Sequence, residues 1–236
     1  MGMILLNTMP KSGSVYILKS LAKIVNLKTM HFGDPSNGRI STKDVAAFSA
    51  GGFVAQNHLD PSADNLQILE QLKPRMVLHL RDPRQAMLSW LYHLDWKNRT
   101  EGLVLSGQPA GYYEWPLPRK IDWQIDNYLP RLLAWTKQWV AIADKGTFPI
   151  LITHQDDLRC NEKAFFDAIL SFYEMKLDFE LPNLARTLDE THFRNADPEE
   201  WVRTFTSEQA DRTGTALPRS LKMRFGWSNI KRQLAA

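Results

Sequence analysis

The sequence predicts an α/β protein with a central parallel β-sheet flanked by helices on both faces. Two observations carry this. Short apolar runs recur at 3–8 ("MILLNT"), 51–58 ("GGFVAQNH"), 75–81 ("RMVLHLR") and 148–154 ("FPILITH"). Between them lie segments with apolar residues at helical spacing. Unbroken apolar runs fit strands covered on both sides, and strand–helix alternation fits parallel crossover units.

"MILLNT" reads as a buried first strand, followed by a helix with Val15, Leu18, Leu21, Ala22 and Val25 on one face. "GGFVAQNH" is a second strand after a glycine pair, "RMVLHLR" a third and "FPILITH" a fourth. Three helices are expected to open on Asp-Pro, at Asp60, Asp82 and Asp197. Aspartate caps the first unpaired amides, and proline fits the first helical position. Gln85 and Glu200 stand three residues after their aspartates, the spacing of a capping box. A further helix is predicted at about 161–174, with Phe165, Phe166, Ile169, Leu170 and Tyr173 inward. A long one lies within 121–143, started late or kinked by Pro130. Between about 95 and 120 the pattern lapses into glycines, prolines and aromatics, which predicts a substrate-facing lid or loop insertion.

The chain has 236 residues, 44% hydrophobic and 23% charged, which fits one globular domain over 1–236. A formal charge of +3 gives no broad basic surface, so a nucleic-acid partner is not expected. The single cysteine, Cys160, excludes a disulfide framework and a cysteine-based zinc site. Residues 1–8 are too short and uncharged for a signal peptide, and no apolar run approaches the roughly 18 residues of a membrane span. A soluble, cytoplasmic protein is expected.

Four pieces carry chemistry. The first is "PKSGSVY" at 10–16. A strand, a tight turn and a helix N-terminus together make an anion site, because unpaired amides and the helix dipole point at the ligand. Gly13 permits close backbone approach, Lys11 adds a charge, and Ser12 and Ser14 add hydroxyls. The ATP/GTP loop pattern places its lysine after the second glycine; here Lys11 precedes Gly13, so that pattern fails. An ordinary capped turn is the plain alternative. The second piece is Arg81, at the end of a strand, with Ser89 eight residues on in the next helix. Arginine suits a bidentate grip on phosphate, though a surface arginine and a helical serine would look the same. The third is His58, between a strand end and a helix start, where an imidazole can take a proton from an acceptor. The histidines at 31, 79, 93, 154 and 192 lack that combination. The fourth is Arg194, before a capped helix.

In this order the pieces resemble the sulfotransferases that use 3'-phosphoadenosine 5'-phosphosulfate. "PKSGSVY" is similar to that family's 5'-phosphosulfate loop, commonly P-K-S-G-T-T-W, and "RDPRQAMLS" to its 3'-phosphate motif. "NHLDP" resembles the "THLP" segment that holds the catalytic histidine, and "ITHQDDL" the "YEDL" segment after a core strand. "FRNADPEEWVRTFT" resembles the late "FRKG…DW…FT" segment, aligning Phe193, Arg194, Trp201, Phe205 and Thr206. The landmarks run from about residue 4 to 206.

The resemblance implies a three-layer sandwich like that of the P-loop nucleotide hydrolases. It implies in-line sulfuryl transfer to a hydroxyl or amine, with adenosine 3',5'-bisphosphate as product and no metal. His58 is then the general base and Lys11 the group that meets the leaving phosphate. Lys11, Ser12, Gly13, Ser14 and Val15 hold the 5' end, and Tyr16 stacks on adenine. Arg81, Ser89 and Arg194 grip the 3'-phosphate, and Asn195 and Ala196 are further cofactor-binding positions. Tyr92, Trp96, Tyr112, Tyr113 and Trp115 crowd the expected lid, where they would face a small-molecule acceptor or form local core. Departures are Tyr16 for a tryptophan, Asn195 and Ala196 for lysine and glycine, and Gln56 for a lysine before the histidine. The rival readings are a nucleotide kinase, with Asp156 and Asp157 as acidic partners, and a non-catalytic nucleotide-binding module on the same scaffold.

Overall fold

A computed structural model describes residues 2–34, 36–104, 107–183 and 197–227. In chain order the elements are β1 (Met3–Thr8), α1 (Ser14–Ile24), β2 (Lys28–His31), α2 (Thr42–Ser49), β3 (Phe53–Asn57), α3 (Ala63–Leu72), β4 (Met76–Leu80), α4 (Pro83–Glu101), α5 (Leu117–Asn127), α6 (Leu129–Lys145), β5 (Ile150–His154), α7 (Gln155–Cys160), α8 (Glu162–Phe172), α9 (Glu200–Thr204), α10 (Ser207–Ala216) and α11 (Arg219–Phe225). The chain divides into two compact units, one from residues 1–81 and 138–192, the other from 82–137 and 193–236.

The first unit holds the sheet. Its five strands are parallel, in the order β2-β3-β1-β4-β5. From β1 the chain passes β3 to reach β2; from β3 it passes β1 to reach β4. Right-handed crossovers running in opposite senses place α1 and α3 on opposite faces. The carboxyl ends of β1 and β3 therefore flank the switch point, where open α/β sheets bind their ligands.

On one face Ile4, Leu6, Val54 and Val77 pack with Ile17 and Leu21 of α1 and with Phe165, Phe166 and Ile169 of α8. On the other, Leu5, Ala55, Met76 and Leu78 are fully buried, as is Leu69 of α3. The Trp139 indole donates to the Leu59 carbonyl at 2.9 Å. In the second unit Leu88, Leu91, Leu94, Tyr112 and Trp201 are buried, and the Gln209 amide donates to the Pro118 carbonyl at 3.0 Å.

Four strands and the fold class stand as expected, and the differences have local causes. β2 was not anticipated, because "KTMH" is short, mostly exposed and without apolar alternation. At Asp82 the cap is as expected, its side chain accepting from the Arg84 amide, with Pro83 at the first position. The Gln85 side chain does not reach back to close a box; its oxygen accepts from the Trp201 amide at 3.3 Å. α3 starts beyond Asp60-Pro61, with Ser62 as its cap, and Asp197 caps the turn before α9 by accepting from the Glu199 amide. Pro130 lies in the first turn of α6, after a break at Tyr128 that divides the expected long helix in two. The irregular stretch is shorter than 95–120, because α4 continues to Glu101 and α5 begins at Leu117.

Phe166 is fully buried between α8 and the sheet. Phe166→Ala should lower unfolding free energy by about 3–5 kcal/mol, read from urea denaturation.

Candidate active site

Met9–Gly13 joins β1 to α1 across the carboxyl edge of the sheet. The Met9 amide donates to the His79 carbonyl at 2.8 Å. The Ser12 amide and hydroxyl both donate to the Met9 carbonyl, at 3.3 and 2.6 Å. Two consecutive loop carbonyls are then drawn down by β4 and its continuation. Arg81 Nη1 donates to the Lys11 carbonyl at 2.6 Å, and His79 Nε2 lies 3.0 Å from the Ser12 carbonyl. A trans peptide points its N–H opposite its C=O, so pulling the Ser12 carbonyl toward His79 turns the Gly13 amide away from the sheet.

Lys11 has φ 63 and Gly13 φ 84, both left-handed. For glycine this is easy; for lysine it costs on the order of 1 kcal/mol and needs surrounding bonds to hold it. Gly13 is also the cap of α1 and so brings no side chain to its amides, and no acidic residue stands in the first turn. The first-turn amides of a helix have no intrahelical acceptors. A Cβ on Gly13 would stand 3.1 Å from Gln155 Oε1, closer than ordinary van der Waals contact. Lysine, a bare helix N-terminus and a glycine cradle fit a phosphate or sulfate ester.

His58 follows β3, across the switch point from that loop. Its Nδ1 lies 2.6 Å from the Thr8 carbonyl and 3.2 Å from the Thr8 hydroxyl. A carbonyl only accepts, so Nδ1 carries the proton and Nε2 the lone pair. Thr8 is held in turn by the Gln56 amide, which donates to its hydroxyl at 2.9 Å. Burial pushes the imidazole below its ordinary pKa, and the nearby His31 and Lys11 push the same way. His58 is thus neutral near pH 7, with its basic nitrogen defined.

His79 is the opposite tautomer. Its Nε2 donates to the Ser12 carbonyl, and its Nδ1 accepts from the Thr153 hydroxyl at 2.9 Å. It is fully buried, in a T-shaped contact with Phe165, and burial lowers its pKa to about 4. Sequence reasoning passed over His79, Thr8 and Gln155. For His79 a signal existed, as a lone polar side chain within an otherwise apolar strand.

The other expected site residues are placed as follows. Ser12 is fully buried with its hydroxyl turned inward, and Ser14 is buried in the first turn of α1. The Tyr16 hydroxyl donates to Glu162, and burial together with that carboxylate raises its pKa to about 12. Ser89 is half-buried on α4. Arg194, Asn195 and Ala196 lie outside the described residues. Tyr112 is fully buried, with Tyr113 and Trp123 edge-on at 5.3 Å, and its hydroxyl accepts from Gln124. It takes the local-core alternative. Trp115 lies under the Arg119 guanidinium at 3.8 Å, and Trp96 stacks on His93 at 6.2 Å; Tyr92 and Tyr113 are half-buried. Asp157 accepts from the His154 amide as part of the α7 cap, and Asp156 pairs with Arg159.

No family model matches the sequence, and no curated protein matches it either. Among solved structures, the mouse sulfotransferase SULT7A1 complexed with PAP is similar to 99% of this chain over 86% of its own, at 13% identity and a TM-score of 0.59. The fold is therefore sulfotransferase-like. Among the described residues, no helix is long and apolar enough to cross a membrane.

The depressed pKa of His79 has a consequence for stability. Between about 4 and the ordinary value of 6.5 the unfolded chain binds a proton that the folded protein refuses. Stability should therefore fall as pH drops through that window, by on the order of 3 kcal/mol from this residue. Subtracting the stability–pH curve of His79→Leu from that of the wild type, both by urea unfolding, should isolate this slope.

Proposed function

We propose that this protein transfers the sulfuryl group of 3'-phosphoadenosine 5'-phosphosulfate to a hydroxyl or amine of a small-molecule acceptor. The observation that carries the reading is a neutral His58 with its lone pair on Nε2, across the switch point from an uncapped, lysine-bearing anion loop. When bound, the donor supplies the sulfuryl group and a phosphate as leaving group.

The chain's own residues divide the work. Nε2 of His58 takes the proton from the acceptor, and the Thr8 carbonyl, holding Nδ1–H, fixes the ring for that transfer and stabilises the imidazolium that forms. The Lys11 ammonium balances negative charge growing on the departing phosphate. The amides at 13–15 and the α1 dipole hold the 5' end. With its hydroxyl tied to Glu162, Tyr16 contributes a ring face rather than a donor. Arg81, already fixed on the loop carbonyl, takes the 3'-phosphate in this reading. Ser89 and Arg194 join it, and Asn195 and Ala196 are further cofactor-binding positions, on the motif resemblance alone. Positioning and charge management account for the catalysis, as in phosphoryl transfer.

His58→Ala should reduce turnover at least about 100-fold while leaving adenosine 3',5'-bisphosphate affinity within about twofold, by calorimetry. Unchanged turnover removes the base assignment. Because the neutral imidazole is the active form, kcat/KM should rise with pH and level off, with a midpoint below the ordinary 6.5. Arg81→Ala should weaken binding of the same nucleotide by about 1.5–3 kcal/mol, roughly 10- to 150-fold in Kd.

A further inference from the structure

Within the fully buried run Met76–Leu80, His79 is the one polar side chain. The sheet does not require it: its cross-strand partners are Thr8 and Thr153, and its ring lies against Phe165. A leucine would fill the space without any demand for hydrogen-bond partners. Burying an imidazole is costly unless both nitrogens are satisfied, and here both are, one of them by the anion loop. Nε2 donates to the Ser12 carbonyl, with Gln155 Oε1 at 3.4 Å, while Nδ1 accepts from Thr153. The backbone of the same residue accepts from the Met9 amide. His79 therefore bonds the loop at both ends, Met9 through its carbonyl and Ser12 through its ring.

The peptide that His79 fixes is the one that aims the Gly13 amide, and it follows the left-handed Lys11. We propose that His79 is a positioning residue for the anion loop: its ring, seated beneath the loop, fixes the Ser12–Gly13 peptide so that the Gly13 amide and the Lys11 side chain are presented to the donor before the donor arrives. Its partner in this is Arg81, two residues along the chain, which holds the neighbouring carbonyl. Pre-set geometry removes an ordering cost from binding. In calling the loop's ligand a sulfuryl donor, the proposal rests on the function given above; the clamp itself does not.

The test compares His79→Leu, which keeps the volume and loses both bonds, with His79→Gln, whose side-chain amide can still donate to the Ser12 carbonyl. Amide hydrogen exchange at Met9 and Ser12 of the unliganded protein, whose N–H groups bond the His79 and Met9 carbonyls, reads the clamp. Exchange is expected at least tenfold faster in His79→Leu and close to wild type in His79→Gln. With adenosine 3',5'-bisphosphate as probe, Kd should rise at least tenfold in His79→Leu and be largely restored in His79→Gln. The donor KM should follow the Kd while the acceptor KM stays within twofold. A merely structural role would reduce the amount of folded enzyme, which lowers apparent turnover and leaves both KM values unchanged. Wild-type exchange rates in His79→Leu would overturn the clamp. Faster exchange with an unchanged nucleotide Kd would overturn its role in binding. Failure of the wild type itself to bind the nucleotide would overturn the sulfuryl-transfer reading, while the exchange result would still decide the clamp.

Discussion

The hold of β4 and Arg81 on the loop between β1 and α1 is the constraint from which the candidate site follows. Two carbonyls, those of Lys11 and Ser12, face Arg81 and His79, and the loop amide of Met9 is bonded to the same strand. A non-glycine residue in the left-handed region persists only where its neighbours over-determine it, and Lys11 is such a residue. Once its carbonyl is tied, the direction of its side chain and the aim of the next amides are no longer independent choices. The glycine at 13 then completes the turn and leaves α1 without a side-chain cap.

Two buried histidines show how a carbonyl partner decides an imidazole's job. In His58 the carbonyl lies at Nδ1, so the basic nitrogen is Nε2. In His79 the carbonyl lies at Nε2, and the remaining nitrogen is occupied by Thr153. Burial lowers both pKa values, so both rings are neutral in the ordinary working range. One keeps a lone pair available for proton transfer. The other has neither a proton nor a lone pair left to offer, which suits a support.

What could be read from the sequence was whatever depends on local pattern. Apolar runs located β1, β3, β4 and β5, and the phenylalanines of 161–174 located the helix that covers them. Asp82-Pro83 marked its helix correctly because the cap is a contact between neighbours. Asp60 and Asp197 carried the same dipeptide, yet the helices start two or three residues later; at Asp197 the side chain caps a turn instead. β2 escaped because an edge strand need not be apolar. In the candidate site, Lys11, Gly13, His58 and Arg81 are singled out by residue chemistry and by their place at strand ends, which are local features. The bonds that orient them are not, because Thr8 with His58 and His79 with Ser12 are long-range pairs with no local periodicity. Tyr112 was ambiguous for a similar reason: an aromatic in an irregular stretch reads the same whether it faces a ligand or, as here, fills a core.

The central place of β1 has a consequence for the order in which this protein takes shape. β1 is flanked in the sheet by β3 and β4, both later in the chain, so it has no sheet neighbour until they exist. Ser12 and His79 are separated by 67 positions. Closing contacts over such distances is entropically slow. A nascent chain therefore carries residues 9–13 as an unshaped segment until β4 comes into register, and the loop's geometry arrives with the sheet rather than with its own synthesis.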